Sequence, residues 1–292
     1  MTPFNQVTII GIGLIGSSLA RAIRREKLAK VIVAGDLSKA HCAQAKKLKL
    51  VDSATTNLKT AVKDADLIIL AIPVGACADV AKIIGPALKD GAIVTDVGSV
   101  KQAVIKAVSP HLSKKVHFVP GHPIAGTEHS GPAAGFADLF KGRWTILTPD
   151  KQCKPTAVKK VADLWKRCGS KVEIMDAKRH DHVLAITSHL PHLIAFTIVG
   201  TAADLESDTK SDVIKYSAGG FRDFTRIAGS DPTMWRDIFL HNQEAVLDIA
   251  QRLTEDLTAL QRAIRRGEST TLFDRFTHAR GVRKSVIDAK QA

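Results

Sequence analysis

The apolar run Val7-Thr8-Ile9-Ile10 leads into Gly11-Ile12-Gly13-Leu14-Ile15-Gly16 and then into a helix-like start, Ser17-Ser18-Leu19-Ala20. Glycines at that spacing between a strand and a helix can cradle a dinucleotide pyrophosphate. Gly11 permits the tight turn, Gly13 lets the backbone approach the phosphates, and Gly16 allows close packing of helix on strand. At Leu14 and Ile15 the helix N-terminus offers free N–H groups and the positive end of its dipole. Asp36 stands 20 residues past Gly16, at the end of the next apolar run, Val31-Ile32-Val33-Ala34-Gly35. A carboxylate there accepts hydrogen bonds from ribose hydroxyls and repels a 2′-phosphate. NAD is therefore the expected cofactor over NADP, a preference that nearby Lys39 softens. A strand–turn–helix that holds no ligand is the plain alternative.

Two further strand ends matter, because open α/β sheets bind ligands beyond the carboxyl ends of their strands. Leu67–Ile72 runs into Pro73, and Ala92–Asp96 runs into Val97-Gly98-Ser99-Val100-Lys101. Ile72, Pro73 and Ser99 should border the nicotinamide, although Ser99 equally suits the N-cap of the following helix. After a strand ending at Val119 comes Pro120-Gly121-His122-Pro123-Ile124-Ala125-Gly126-Thr127-Glu128. A histidine just past a strand end can serve as a general base near neutral pH. On composition alone it can also be a structural loop histidine. Farther on, His180-Asp181-His182 precedes Ser188-His189-Leu190-Pro191-His192 in an otherwise apolar stretch. His189 and His192, three apart, share a helix face. They suit a buried core or a metal pair, but no carboxylate at ligand spacing accompanies them, so no metal is expected.

These residues need elements to position them. Residues 1–175 alternate Val- and Ile-rich runs with amphipathic stretches, the pattern of a parallel sheet with crossover helices. Expected strands are Val7–Ile10, Val31–Ala34, Leu67–Ile72, Ala92–Asp96, His117–Val119, Trp144–Leu147 and Lys171–Ile174. Leu14–Arg25, Gly75–Leu88 and Ala157–Cys168 read as helices. The expected fold class is α/β, an N-terminal Rossmann-type, doubly wound, mostly parallel sheet followed by an all-helical domain over residues 176–292. Val246, Ile249, Leu253, Leu257, Leu260 and Ile264 form one apolar seam. A single helix from Pro232 to Arg266 would be ~50 Å long at about 1.5 Å per residue. Such a helix needs cover, either on a second subunit or from the final helix of the same chain.

With 292 residues, 45% of them hydrophobic and 24% charged, the chain can bury a core and is long enough for two domains. Aromatic residues make up only 5%, with one tyrosine, so a platform that stacks nucleic-acid bases is not expected. The net charge of +13 favours an anionic partner or simply a solvated basic surface. Four cysteines without a C-x-x-C pair argue for reduced thiols rather than a metal or disulfide framework. The first six residues carry no Lys or Arg and glycines break the apolar run behind them, unlike a signal peptide. A cytoplasmic protein is expected, with no nucleic-acid or membrane partner.

Beyond these readings, the sequence resembles the prephenate/arogenate (cyclohexadienyl) dehydrogenases of tyrosine biosynthesis over nearly its whole length. The resemblance is carried by Asp96-Val97-Gly98-Ser99-Val100-Lys101, Gly121-His122-Pro123-Ile124-Ala125-Gly126-Thr127-Glu128, Ser188-His189-Leu190-Pro191-His192 and Asp223-Phe224-Thr225-Arg226-Ile227-Ala228. It implies NAD-dependent oxidative decarboxylation of prephenate or arogenate, small dianionic substrates, with His122 as base to the 4-hydroxyl and Ser99 beside hydroxyl and nicotinamide. Arg226 matches an arginine that holds the ring carboxylate, and His192 a histidine that binds the side chain. His189, Thr127, Glu128 and Trp235 match the pocket rim. Family members are dimers through their helical domain, which implies a homodimer here. A β-hydroxyacid dehydrogenase would need a catalytic lysine in a glycine-bearing helix, which this chain does not offer. A basic NAD-sensing or nucleic-acid-binding protein finds no helix-turn-helix or zinc finger to support it.

Overall fold

The computed structural model describes residues 2–127, 129–204, 212 and 215–288. Strands β1 (Phe4–Ile10), β2 (Ala29–Gly35), β3 (Ser53–Thr55), β4 (Leu67–Leu70), β5 (Ile93–Asp96) and β6 (His117–Val119) form one parallel sheet in the order β3-β2-β1-β4-β5-β6. Between them run α1 (Leu14–Arg25), α2 (Lys39–Lys47), α3 (Leu58–Val62), α4 (Cys77–Ile84) and α5 (Lys101–Val108). The chain reverses its direction of travel across the sheet between β1 and β4, which opens a crevice at their carboxyl ends. This is the doubly wound Rossmann arrangement.

Successive strand residues feed opposite faces of the sheet. Ile9, Leu67 and Ile69 pack with Leu19 and Ile23 of α1 in one apolar core. Ile10, Ile68 and Leu70 pack with Val80 and Ile84 of α4 in the other. Both faces are covered, which is why these strands read as unbroken apolar runs without polar alternation.

A smaller sheet follows, of β7 (Gly121–Pro123), β8 (Trp144–Leu147) and β9 (Lys171–Ile174), with α6 (Pro155–Arg167) between the last two. β7 runs antiparallel to β8, and His122 sits opposite Ile146. His122 therefore lies in a strand rather than in the expected loop; three residues that include Gly and Pro carry no strand signal. The strand after α3 stops at Leu70 instead of Ile72, and the chain turns through Val74–Ala76. The helix expected over Gly75–Leu88 is regular only from Cys77 to Ile84. Pro86, which has no N–H, lies in the tight turn that ends it.

From Asp176 onward the described structure is helical: α7 (Ala177–Leu184), α8 (Leu190–Ala203), α9 (Gly219–Thr225), α10 (Pro232–His241), α11 (Gln243–Arg266) and α12 (Ser269–Asp288). Asp176 caps α7, accepting from Lys178 N at 2.8 Å and Arg179 N at 3.1 Å. Between α7 and α8 the backbone widens into a π-turn, Ala185–His189. Pro191, which cannot donate to residue 187 and would crowd its carbonyl, accounts for the widening. The single helix expected from Pro232 to Arg266 is interrupted at Asn242, whose backbone leaves helical geometry (φ −112°, ψ 33°). Its side chain is spent on partners elsewhere in the chain, described below.

The chain forms two compact units, residues 1–243 and 244–292. The first holds both sheets and α1–α10. In the second, Arg275 of α12 pairs with Asp256 of α11 at 3.4 Å. Leu253, Leu257, Ile264, Phe273 and Phe276 nevertheless stay exposed on these two helices.

Candidate active site

At the glycine turn, Gly11 adopts φ +89°, and a Cβ there would stand 2.3 Å from the Ala71 carbonyl oxygen and 2.8 Å from Ile72 Cγ2. A Cβ on Gly16 would stand 2.0 Å from the Gly11 oxygen. Both positions are sterically closed to any side chain. Gly13 differs, because a Cβ there would meet nothing within 4 Å. Open space therefore lies over the middle glycine. The N-terminus of α1 has no side-chain cap among the described residues, so its N–H groups remain for an anion. Asp36 is pinned beside the turn, accepting from Ile12 N at 3.0 Å and Ser38 N at 2.8 Å. The residues present thus fit a dinucleotide: an open cradle, uncapped donors and a fixed carboxylate.

Ile72 and exposed Pro73 follow the end of β4, and half-buried Ser99 follows the end of β5. Ser99 does not cap α5. The first N–H groups of that helix are accepted instead by Asp181 of α7: Lys101 N to Oδ1 at 2.7 Å and Gln102 N to Oδ2 at 2.9 Å. A carboxylate some 80 residues away displaces the local serine.

The same carboxylate anchors a chain of rings. His180 Nδ1 lies 2.9 Å from Asp181 Oδ1, and His180 Nε2 lies 2.9 Å from His122 Nδ1. Below them, Lys101 Nζ pairs with Asp96 and donates to the Gly121 carbonyl at 2.6 Å. Asp96 also accepts from Gly98 N at 2.8 Å and Gly121 N at 3.1 Å. The buried pair thus ties the ends of β5 and β7 together beneath His122. Burial first, then the nearby positive or protonatable groups His180, Lys101 and His189, holds His122 well below the usual histidine range. Burial likewise lowers His180, against the pull of Asp181. For Asp181, burial acts upward, but the bonds from His180, Lys101 N and Gln102 N outweigh it and keep the carboxyl ionised.

Asn242 extends the network, its amide donating to the Asp181 carbonyl at 2.9 Å and to His189 Nδ1 at 3.1 Å. Burial pushes His189 down to about 4, and its Nε2 is buried without a partner among the described residues. His192 stacks on Trp235 with ring centres 3.6 Å apart, and His189 meets the same indole edge-on at 6.1 Å. Burial, and secondly the Arg226 guanidinium, opposes protonation of His192. His122, His189, His192, Trp235 and Arg226 are therefore brought together around one region. Thr127 is exposed and accepts from His129 N at 3.3 Å. Glu128 lies outside the described residues. Among the described residues, no group of three His, Cys, Asp or Glu side chains is arranged to hold a metal.

Asp96, Lys101, His180, Asp181 and Asn242 were not expected as site residues. Asp96 and Lys101 bound the run Asp96-Val97-Gly98-Ser99-Val100-Lys101 and His180 and Asp181 lie in His180-Asp181-His182, yet a lysine with no exposed surface has no signature in composition.

The chain is 42% identical over 286 residues to cyclohexadienyl dehydrogenase of Zymomonas mobilis, covering 98% of this chain and 97% of that one. The chain belongs to the prephenate dehydrogenase family. The family's nucleotide-binding domain matches residues 19–174 and its dimerization domain residues 176–278. Prephenate dehydrogenase of Bacillus subtilis is 34% identical over 281 residues, covering 96% of this chain and 76% of the relative. Among solved members of the family, prephenate dehydrogenase of Aquifex aeolicus, in complex with hydroxyphenyl propionate and NAD+, superposes with TM-score 0.90 at 36% identity. That match covers 98% of each chain. Arogenate dehydrogenase of Synechocystis superposes with TM-score 0.80 at 28% identity, over 96% of this chain and 99% of that one.

Proposed function

We propose that this enzyme carries out the NAD-dependent oxidative decarboxylation of prephenate or arogenate, giving 4-hydroxyphenylpyruvate or tyrosine. The observation that carries the reading is a buried, uncharged His122 at the carboxyl edge of the sheet, within one cluster with His189, His192 and Arg226. Gly11, Gly13, Leu14, Ile15 and Gly16 would hold the pyrophosphate, Asp36 the ribose, and Ile72, Pro73 and Ser99 would flank the nicotinamide. When bound, NAD+ supplies the acceptor for the hydride that leaves C4 of the substrate ring.

His122 takes the 4-hydroxyl proton as that carbon becomes a carbonyl. The bond from ring to carboxylate then breaks and CO2 departs; its electron pair enters the ring and turns the C4 carbonyl into a phenol oxygen, which recovers the proton from His122. Aromatisation drives the step forward. Arg226 holds the ring carboxylate through its planar guanidinium, while His192 and His189 contact the side chain and Trp235 walls the pocket. Thr127 and Glu128 belong to the rim in this reading.

The functional division falls at residues 175 and 176, with NAD on the first part and substrate contacts and dimerisation on the second. A homodimer is supported by the uncovered apolar surface. Leu253 and Leu257 of the expected seam are exposed, and Ala177–Ala203, long and apolar enough to cross a bilayer by length and composition, is only 22% buried over its apolar window. A second copy of the chain covers such surface without a membrane, in keeping with a cytoplasmic enzyme.

The test crosses prephenate and arogenate with NAD+ and NADP+ and follows reduced nicotinamide and CO2. Production from at least one substrate with NAD+ is expected. Absence of turnover in all four arms would overturn the assignment.

A further inference from the structure

His122 can act as a base only through a ring nitrogen that carries no proton. We infer that His180 and Asp181 act as positioning residues that fix His122 as its Nδ1–H tautomer, leaving Nε2 as a bare acceptor for the substrate hydroxyl. This deepens the proposed function and rests on it.

Asp181 fixes the direction of every bond in this chain of rings. Both Asp181 oxygens accept backbone N–H groups of α5, from Lys101 and Gln102, so the carboxylate is an acceptor throughout. His180 Nδ1, 2.9 Å away, must then be the donor. A neutral imidazole has one proton, so His180 Nε2 is left with a lone pair. The contact from His180 Nε2 to His122 Nδ1 at 2.9 Å is then a hydrogen bond only if His122 Nδ1 donates. His122 Nε2 is consequently unprotonated. The proton on one imidazole nitrogen is set by the hydrogen bond the other makes.

The competing arrangement has a doubly protonated His180 donating to both neighbours, which would turn His122 into the Nε2–H tautomer, unable to take a proton. The charged and titratable groups facing the pair decide against it. Lys101 stands on the α5 side, paired with Asp96 of β5, and His189 lies on the π-turn. Lys101 opposes a second positive charge on His180, as does burial, while Asp181 and Asp96 favour it; the balance is a neutral ring. The histidine pair also meets edge to face, with ring centres 5.1 Å apart and planes at 65°. That geometry places one nitrogen of each ring in line for a single shared proton.

The decisive measurement is a long-range 1H–15N correlation spectrum of the histidine rings in the 15N-histidine-labelled protein, with the His122 signals identified by their loss in His122→Asn. The expected spectrum shows His122 protonated at Nδ1 and His180 also at Nδ1 alone. A His122 ring protonated at Nε2, or a doubly protonated His180, overturns the inference. His180→Phe, which keeps an aromatic ring but removes the acceptor, should lower kcat about 10- to 100-fold, the usual cost of losing a partner that orients a functional histidine. NAD+ affinity should not change, because no cofactor contact is touched. Wild-type turnover in a folded His180→Phe overturns the positioning role; if that variant does not fold, the wild-type spectrum decides alone. A protein inactive on both substrates would sink the proposed function and leave the spectrum to report on the tautomer independently.

Discussion

The side-chain amide of Asn242 donates to His189 Nδ1 across 3.1 Å. Asn242 is the residue at which the expected long helix breaks, and His189 closes the π-turn of the preceding helical run. An amide NH2 can only donate, so His189 Nδ1 accepts and its Nε2 carries the hydrogen. His189 therefore presents a donor at its buried Nε2, the opposite polarity to the acceptor that the proposed mechanism needs at His122. Asn242→Leu keeps the branched shape but leaves His189 Nδ1 unpaired and the Asp181 carbonyl with only its helical donor, Ala185 N, which should cost about 1–3 kcal/mol. Chemical denaturation measures the loss, and a Cm unchanged from wild type would refute the structural role of this residue.

Lys101 and Asp96 form a pair with essentially no exposure to solvent. Taking two charges out of water gains little net stability, but removing one partner strands the other. Lys101→Met should therefore destabilise the protein by about 3–5 kcal/mol. Replacing both, Lys101→Met with Asp96→Asn, should recover part of that loss. A double variant no more stable than Lys101→Met alone would show that the stranded charge is not the cause.

His122 should remain neutral well below the ordinary histidine range, because burial and its neighbours oppose its protonation. The acid limb of the kcat/KM profile should accordingly lie below about pH 6.5, the unperturbed histidine value. An acid limb at or above that value would exclude His122 as its source. In the same assay, His122→Asn should reduce kcat about 10²- to 10⁴-fold, the usual range for a positioned general base, with NAD+ affinity retained.

Stability should respond to acid in the same direction. His189 titrates near about 4 when folded, against ~6.5 when unfolded. Between those values the unfolded chain binds the extra proton, so stability is full above about pH 6.5 and falls as pH drops towards 4. A shift of that size corresponds to about 3 kcal/mol from this residue alone. Thermal melts of wild type and His189→Gln at pH 7 and pH 5 measure it. The variant should show a shallower loss, and equal slopes would disprove the contribution.

What could be read in the sequence follows from what each feature depends on. β1, α1, β6, β8 and β9 are legible because their signals are local: β-branched runs, a glycine turn, a helix start. β3 and β7 are three residues long and exist through pairing with neighbours, which no local pattern records. His122 is recognisable as a candidate base, but the ring it bonds to, His180, lies 58 residues away. The break at Asn242 is invisible to periodicity, since it arises when a side chain finds the Asp181 carbonyl and His189. Ser99 was a reasonable cap, overridden by a better acceptor from α7.

The glycine turn permits a sharper test than its motif does, because its glycines are constrained for different reasons. A Cβ at Gly16 collides with the Gly11 carbonyl at 2.0 Å, whereas a Cβ at Gly13 meets open space, and no positive φ forbids it. Gly16→Ala should therefore destabilise the fold. Gly13→Ala should leave stability within about 0.5 kcal/mol, as for a substitution that disturbs no packing. If the space over Gly13 is where the pyrophosphate rests, that methyl group still pushes the phosphates away from the uncapped N–H groups of α1. NAD+ binding by Gly13→Ala should weaken by about 10-fold or more, equivalent to some 1.4 kcal/mol, without a matching fall in Tm. Titration calorimetry and a thermal melt on the same sample separate the two effects. Unchanged NAD+ affinity in a stable Gly13→Ala protein would move the cofactor away from this turn, and with it the hydride acceptor away from His122.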